Sequence, residues 1–257
     1  MKKLPLSLLL SGTMLLGMGA ATAAEAQDAG LAVSGDIGIA SQYVWRGVTQ
    51  TNGKTAIQGD LGVGVGDVSA SVWFSNAYPS TAPQFGGRDV VEFDWTVDYS
   101  SSFGDSGVGY SLGAIGYTYL YDAASNFPEV YMGLSYGPVS LTAYYNLKDS
   151  FNKAYLSGDT WVDLSAGGSV GGFDLSGTVS YAKWKKDIVN RPVATSFKSG
   201  TSVVTLGGSK DVDLGATTMT PSLTLTLPVA SKDTAGNRSI YGATVQNEFV
   251  ASVNFTY

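Results

Sequence analysis

The 257-residue chain contains no cysteine and no histidine. Without cysteine there is no disulfide, no thiolate and no lipid-anchored N-terminal cysteine. Without histidine, the Ser-His and Cys-His nucleophile pairs and every imidazole metal site are excluded. No catalytic residue, metal ligand or cofactor is therefore assigned, and the chain is not expected to be an enzyme. Charge is sparse, with 14% of residues Asp, Glu, Lys or Arg. Acidic residues outnumber basic ones, 21 to 15, and no basic patch stands out, so no nucleic acid partner is expected. Long apolar runs are equally scarce. The one that occurs, Leu4 to Met18, is too short for a spanning helix.

That run follows Lys2 and Lys3 and precedes the small-residue stretch from Gly19 to Ala26. Charged, apolar and small in that order is the pattern of an export signal, with cleavage after Ala24 or Ala26. Residues 1–26 are read as signal peptide and 27–257 as one domain. Losing Lys2, Lys3 and Glu25 leaves 13 basic and 20 acidic side chains, a net charge of −7. No run of ten uninterrupted apolar residues follows, so a helical membrane crossing is not expected.

What the chain does have is 33 glycines, 12% aromatics and short segments of alternating polarity. The last segment, Val245 to Tyr257, sets Phe249, Ala251, Val253, Phe255 and Tyr257 against Glu248, Ser252, Asn254 and Thr256. An unpaired strand edge in lipid costs several kcal/mol per exposed backbone group, so this strand must close a barrel onto the first. Twelve such segments can be counted. The first is read from Leu31 to Trp45, with Tyr43 and Trp45 on the apolar face and Asp36, Gln42 and Arg46 on the other. The fourth is the clearest, with Val91, Phe93, Trp95, Val97 and Tyr99 opposing Glu92, Asp94, Thr96 and Asp98. Tight glycine turns alternate with longer polar loops. An even strand count with short turns at one end and long loops at the other is the pattern of a bacterial outer-membrane barrel. The expected fold is all-β, a transmembrane antiparallel up-and-down barrel of about twelve strands.

The segment S-Q-Y-V-W-R-G-V-T-Q-T at 41–51 resembles the TorF-type family of exported proteobacterial porins. The resemblance continues through Lys54 and Gln58-Gly59, Trp73 to Asn76, Glu92 to Asp94, Tyr117 to Asp122 and Glu129 to Tyr136. Thr55 departs from it, standing where the family pattern expects proline. The resemblance implies a porin-like barrel and supplies neither a transported solute nor catalytic residues.

If the polar faces line a lumen, its wall carries Asp36, Asp60, Glu92, Asp94, Asp98, Glu129, Asp163, Asp174 and Glu248, with Arg46 as the one cation. Glu92, Asp94 and Asp98 on one strand face could form an acid/base pair or a cation site; a wet lumen wall is the reading adopted. The Gly62-to-Gly66 run is no phosphate loop, because a turn and a strand follow it rather than a helix. Tyr43, Trp45, Phe74, Trp95, Tyr99, Tyr119, Tyr145, Tyr181 and Tyr257 are read as outward aromatic girdles. Eleven basic residues, among them Lys54, Lys183, Lys185 and Lys186, fall at the long-loop end, against Lys210 at the other. The expected function is an outer-membrane channel for passive diffusion of small hydrophilic solutes, cation-preferring, with outer-membrane lipid and lipopolysaccharide as partners. The alternative is a non-conducting structural or adhesin-like barrel whose long loops bind a partner.

Overall fold

Period-two alternation puts successive side chains on opposite faces of a strand, and here the faces become the outside and inside of one closed wall. The structure, a computed structural model, describes residues 30–77, 89–185, 199–230, 238–240 and 243–257. The expected export signal lies outside these residues, as do Arg88, Lys186, Arg191, Lys198 and Lys232. The first six wall strands are β1 (Ala32–Ala40), β2 (Ala56–Val65), β3 (Val68–Ala77), β4 (Val90–Ser102), β5 (Val108–Leu120) and β6 (Phe127–Tyr136). The rest are β7 (Val139–Asn146), β8 (Thr160–Val170), β9 (Phe173–Lys183), β10 (Gly200–Ser209), β11 (Thr218–Pro228) and β12 (Glu248–Thr256). Each pairs antiparallel with the next, and β12 pairs with β11 on one side and β1 on the other, Thr256 opposite Asp36 and Ser252 opposite Ala40. The barrel is closed with twelve strands. Among the described residues no helix is long and apolar enough to cross a membrane.

The outward face is apolar and bare. Ile39, Leu61, Val97, Leu134, Leu164, Leu175 and Phe249 are all exposed, and Trp95 is 57% exposed. The inward face carries Ser75, Glu92, Asp94, Ser111, Glu129, Thr142, Asp163, Thr178 and Thr226, all buried. A barrel in water would bury the first set and expose the second. Only a lipid surround makes this arrangement favourable, and the protein is an outer-membrane β-barrel.

Glycine is needed at particular points. Gly66-Asp67 joins β2 to β3 with φ +57° at the glycine, and Gly171-Gly172 joins β8 to β9 with positive φ at both, as two-residue hairpin turns require. On the inner wall, a Cβ at Gly113 would lie 2.3 Å from the Tyr131 hydroxyl oxygen. The missing side chain lets Tyr131 lie across β5 and donate a hydrogen bond to Asp98 Oδ2 at 2.5 Å.

One expectation fails in the wall itself. The first strand ends at Ala40 rather than Trp45, and at Ser41 the chain turns into the barrel.

Candidate functional site

The turned-in segment builds its own two-stranded ladder, Val44–Trp45 against Val48–Thr49. Between them Arg46 and Gly47 form a two-residue turn with φ +47° and +83°, the type I′ pattern in which both central residues are left-handed. Gly47 adopts this freely, and its Cα also approaches the wall: a Cβ there would meet Val203 Cγ2 at 2.8 Å. Arg46 does not adopt it freely. A non-glycine residue held there costs on the order of 1–3 kcal/mol.

The cost is offset at the tip. Arg46 donates to Glu129 through both terminal nitrogens, each at 2.8 Å, a bidentate pair in which both side chains are almost fully buried. Glu129 stands on β6, across the lumen from β1. The guanidinium also lies 4.5 Å from the Trp45 ring centroid and 5.1 Å from those of Tyr144 and Trp161, a cation–π setting. The Tyr117 hydroxyl donates to Glu129 Oε2 at 3.2 Å. Hydrogen bonds hold the stem: Gln42 Nε2 donates to Glu248 Oε2 at 2.8 Å, and the Tyr43 backbone N–H donates to Thr51 Oγ1 at 2.9 Å.

Aromatic rings fill the space around the hairpin. Tyr43 packs edge-on against Trp73 of β3 at 5.2 Å, and Trp45 against Tyr117 of β5 at 5.7 Å. The loop after β7 adds a roof, with Tyr155 stacked on Phe127 at 3.8 Å and edge-on to Trp45 at 5.8 Å. At this level Tyr43, Arg46, Gln50 and Thr51 are each no more than 2% exposed. The lumen is stoppered at its long-loop end.

All ten residues expected to line the lumen fall on the inward side, at different depths. Glu92, Asp94, Asp98, Glu129, Asp163, Glu248 and Arg46 are buried. Glu92 accepts from the Tyr119 hydroxyl at 2.8 Å. Asp163 accepts from the Trp161 indole N–H at 2.7 Å and the Ser180 hydroxyl at 2.6 Å. Asp36 and Asp60 face each other across the β1–β2 pair, half-buried. Asp174 is exposed at the tight-turn end, where it accepts from Ser169. Arg46, expected from the sequence to face the strand-four carboxylates, pairs instead with Glu129 of β6. Lys54, Lys148, Lys183 and Lys185 are exposed at the long-loop end, while Lys210 sits over Phe173 at the other.

The girdle expectation is corrected in part. Trp95, Tyr99, Tyr145, Tyr181 and Tyr257 are exposed outside, but Tyr43, Trp45 and Tyr119 are buried inside. Tyr43 and Trp45 leave the wall with the hairpin, and Tyr119 shares the inward parity of Tyr117. The inward rings Trp73, Tyr117, Tyr131, Tyr144 and Trp161 were not singled out from sequence. Parity could have found Trp161, two residues from Asp163.

The barrel is similar in shape to solved outer-membrane proteins. Against outer membrane phospholipase A from Escherichia coli the identity is 10%, over 87% of this chain and 89% of that one, with a TM-score of 0.46. Against LpxR from Salmonella typhimurium it is 9%, over 87% and 99%, with 0.44. Against a Pseudomonas aeruginosa FadL homologue it is 10%, over 88% and 90%, with 0.45. No residue is carried over from any of them. The expectation that the chain is not an enzyme is corrected: barrels similar in shape include a phospholipase, and the absence of histidine excludes imidazole-based arrangements rather than enzymes as a class. No curated protein matches the sequence. A family model described as "Bacterial protein of unknown function (Gcw_chp)" matches residues 23–212, and the chain belongs to that family.

Proposed function

We propose that the protein is an outer-membrane channel for small hydrophilic solutes whose resting state is closed by the hairpin at residues 42–51. One observation carries this reading: the polar lumen is filled at its long-loop end by a segment separate from the wall strands, whose tip makes a buried ion pair with Glu129. The resemblance of this same segment to TorF-type porins supports it. Nine inward carboxylates against Arg46 support cation preference once the hairpin lifts, because low-dielectric walls focus the field of such charges. The exposed lysines at the long-loop end suit lipopolysaccharide phosphates.

Removing one partner of a buried ion pair costs about 3–5 kcal/mol, equivalent to roughly 10²–10⁴ in an equilibrium constant. Wild-type protein in planar bilayers should be mostly closed, with Glu129→Gln raising open probability by about two orders of magnitude and reversal potentials showing cation preference. The second reading, a non-conducting barrel with partner-binding loops, is favoured by the Tyr155 roof. A folded protein that stays silent even with the hairpin shortened would decide for it.

A further inference from the structure

The hairpin places one cation in a box of carboxylate and aromatic rings. A second box of the same composition stands beside it on β3, β4 and β5. Asp94 is flanked in register by Trp73 on one side and Tyr117 on the other. Glu92, two residues along the same inward face, is paired in register with Tyr119, whose hydroxyl it accepts. Tyr43 of the hairpin covers the group, edge-on to Trp73 and with its hydroxyl toward Glu92.

The two boxes differ in their contents. Glu129 has its guanidinium. Asp94 is 4% exposed, and neither Oδ1 nor Oδ2 has a hydrogen-bond partner. The charges acting on it are Glu92, Glu129 and Arg46, and Arg46 is committed to Glu129. A buried carboxylate without a partner is costly, and a bound cation would offset that cost. Among the described residues no three acidic side chains converge to hold a metal ion. Flanking rings with a carboxylate instead suit an organic cation, whose apolar edges and delocalised charge match aromatic faces.

We infer that Asp94, Glu92, Trp73, Tyr117 and Tyr119 form a binding site in the lumen for a small organic cation of the guanidinium or alkylammonium class. Tyr43 roofs the site, so access rests on the proposed lifting of the hairpin, and occupancy favours the lifted state. The inference names a substrate class for the channel.

The test is a calorimetric titration of full-length protein in detergent with methylguanidinium, followed in parallel by tryptophan emission, using methylurea as the neutral isostere. Wild type and Glu129→Gln should both bind methylguanidinium saturably, the latter more tightly because its hairpin is free, and neither should bind methylurea. Asp94→Asn, which keeps side-chain shape, should weaken binding by on the order of tenfold or more. No saturable response in either wild type or Glu129→Gln overturns the site whatever the folding of Asp94→Asn. Equal binding by folded Asp94→Asn overturns it as well. A silent Glu129→Gln protein that still binds methylguanidinium would sink the channel reading and leave the site standing, so the two failures can be told apart.

Discussion

The two ends of the lumen are built from the same period-two wall and end up unlike. At the long-loop end, Tyr43, Trp45, Arg46 and Gln50 are buried among Trp73, Tyr117, Phe127 and Trp161. At the tight-turn end, inward positions are small or hydroxylic, such as Ser34, Ser69, Ser169, Ser176, Ser209 and Thr220, and they are half-buried or exposed, like Asp36, Asp60 and Asp174. The wall alone therefore leaves a wet cup. The closure proposed above comes from a segment outside the barrel's hydrogen-bond ladder, so its departure would break no wall pairing. On that proposal, stability of the barrel and closure of the lumen are separable.

The largest test of that separation replaces Gln42 to Thr51 with a short Gly-Ser link. Full opening with heat-modifiable folding retained is expected. Loss of folding would mean the hairpin is part of the core and not a stopper.

Gly47→Ala should come next. Its left-handed φ and the 2.8 Å approach to Val203 mean a methyl group strains the tip by about 1–2 kcal/mol. Open probability should rise roughly tenfold, with unfolding unchanged.

Gly113→Ala addresses the wall on the tight-turn side of Glu129 and should do the reverse. The new Cβ evicts Tyr131 from its bond to Asp98, costing about 1–3 kcal/mol of barrel stability. Denaturant midpoints should fall while single-channel closure stays as in wild type.

The smallest effect concerns the roof. In the loop after β7, Asp149 accepts from the Ser157 backbone N–H at 2.7 Å and pairs with Lys153 at 3.0 Å, and these hold its carboxyl below the ordinary range. A depressed native pKa contributes stability above the unfolded value of about 3.9, lost as pH falls through the native one. Protection factors over residues 147–159 should fall below about pH 4, and Asp149→Asn should show that lower protection already at neutral pH.

Strand number, antiparallel closure and the inward set of carboxylates were legible in the sequence because each follows from alternation, which lipid enforces along the whole wall. The hairpin was not. Tyr43 and Trp45 continue the odd-numbered parity of Ile37 and Ile39, so alternation runs through the point where the chain leaves the wall. The signal that marks the departure is local: Arg46-Gly47 between two β-branched or aromatic pairs is a two-residue turn, and a turn there cannot belong to a strand ending at Trp45. Arg46, read onto the inward face, is buried at the hairpin tip. Its partner was not legible, since Glu129 lies 83 residues away and only the three-dimensional crossing of the lumen brings them together.

The absence of native cysteine makes the central claim directly measurable. With Gly47→Cys and Val203→Cys in one chain, the hairpin tip and the β10 wall stand within disulfide reach if the hairpin fills the lumen. Mild oxidation of outer membranes should convert the protein to an internally cross-linked form that is locked closed in bilayers and reopens with reductant. A side chain at position 47 raises the open fraction only about tenfold, so oxidation still traps the closed state; two thiols that stay free after exhaustive oxidation would contradict the account.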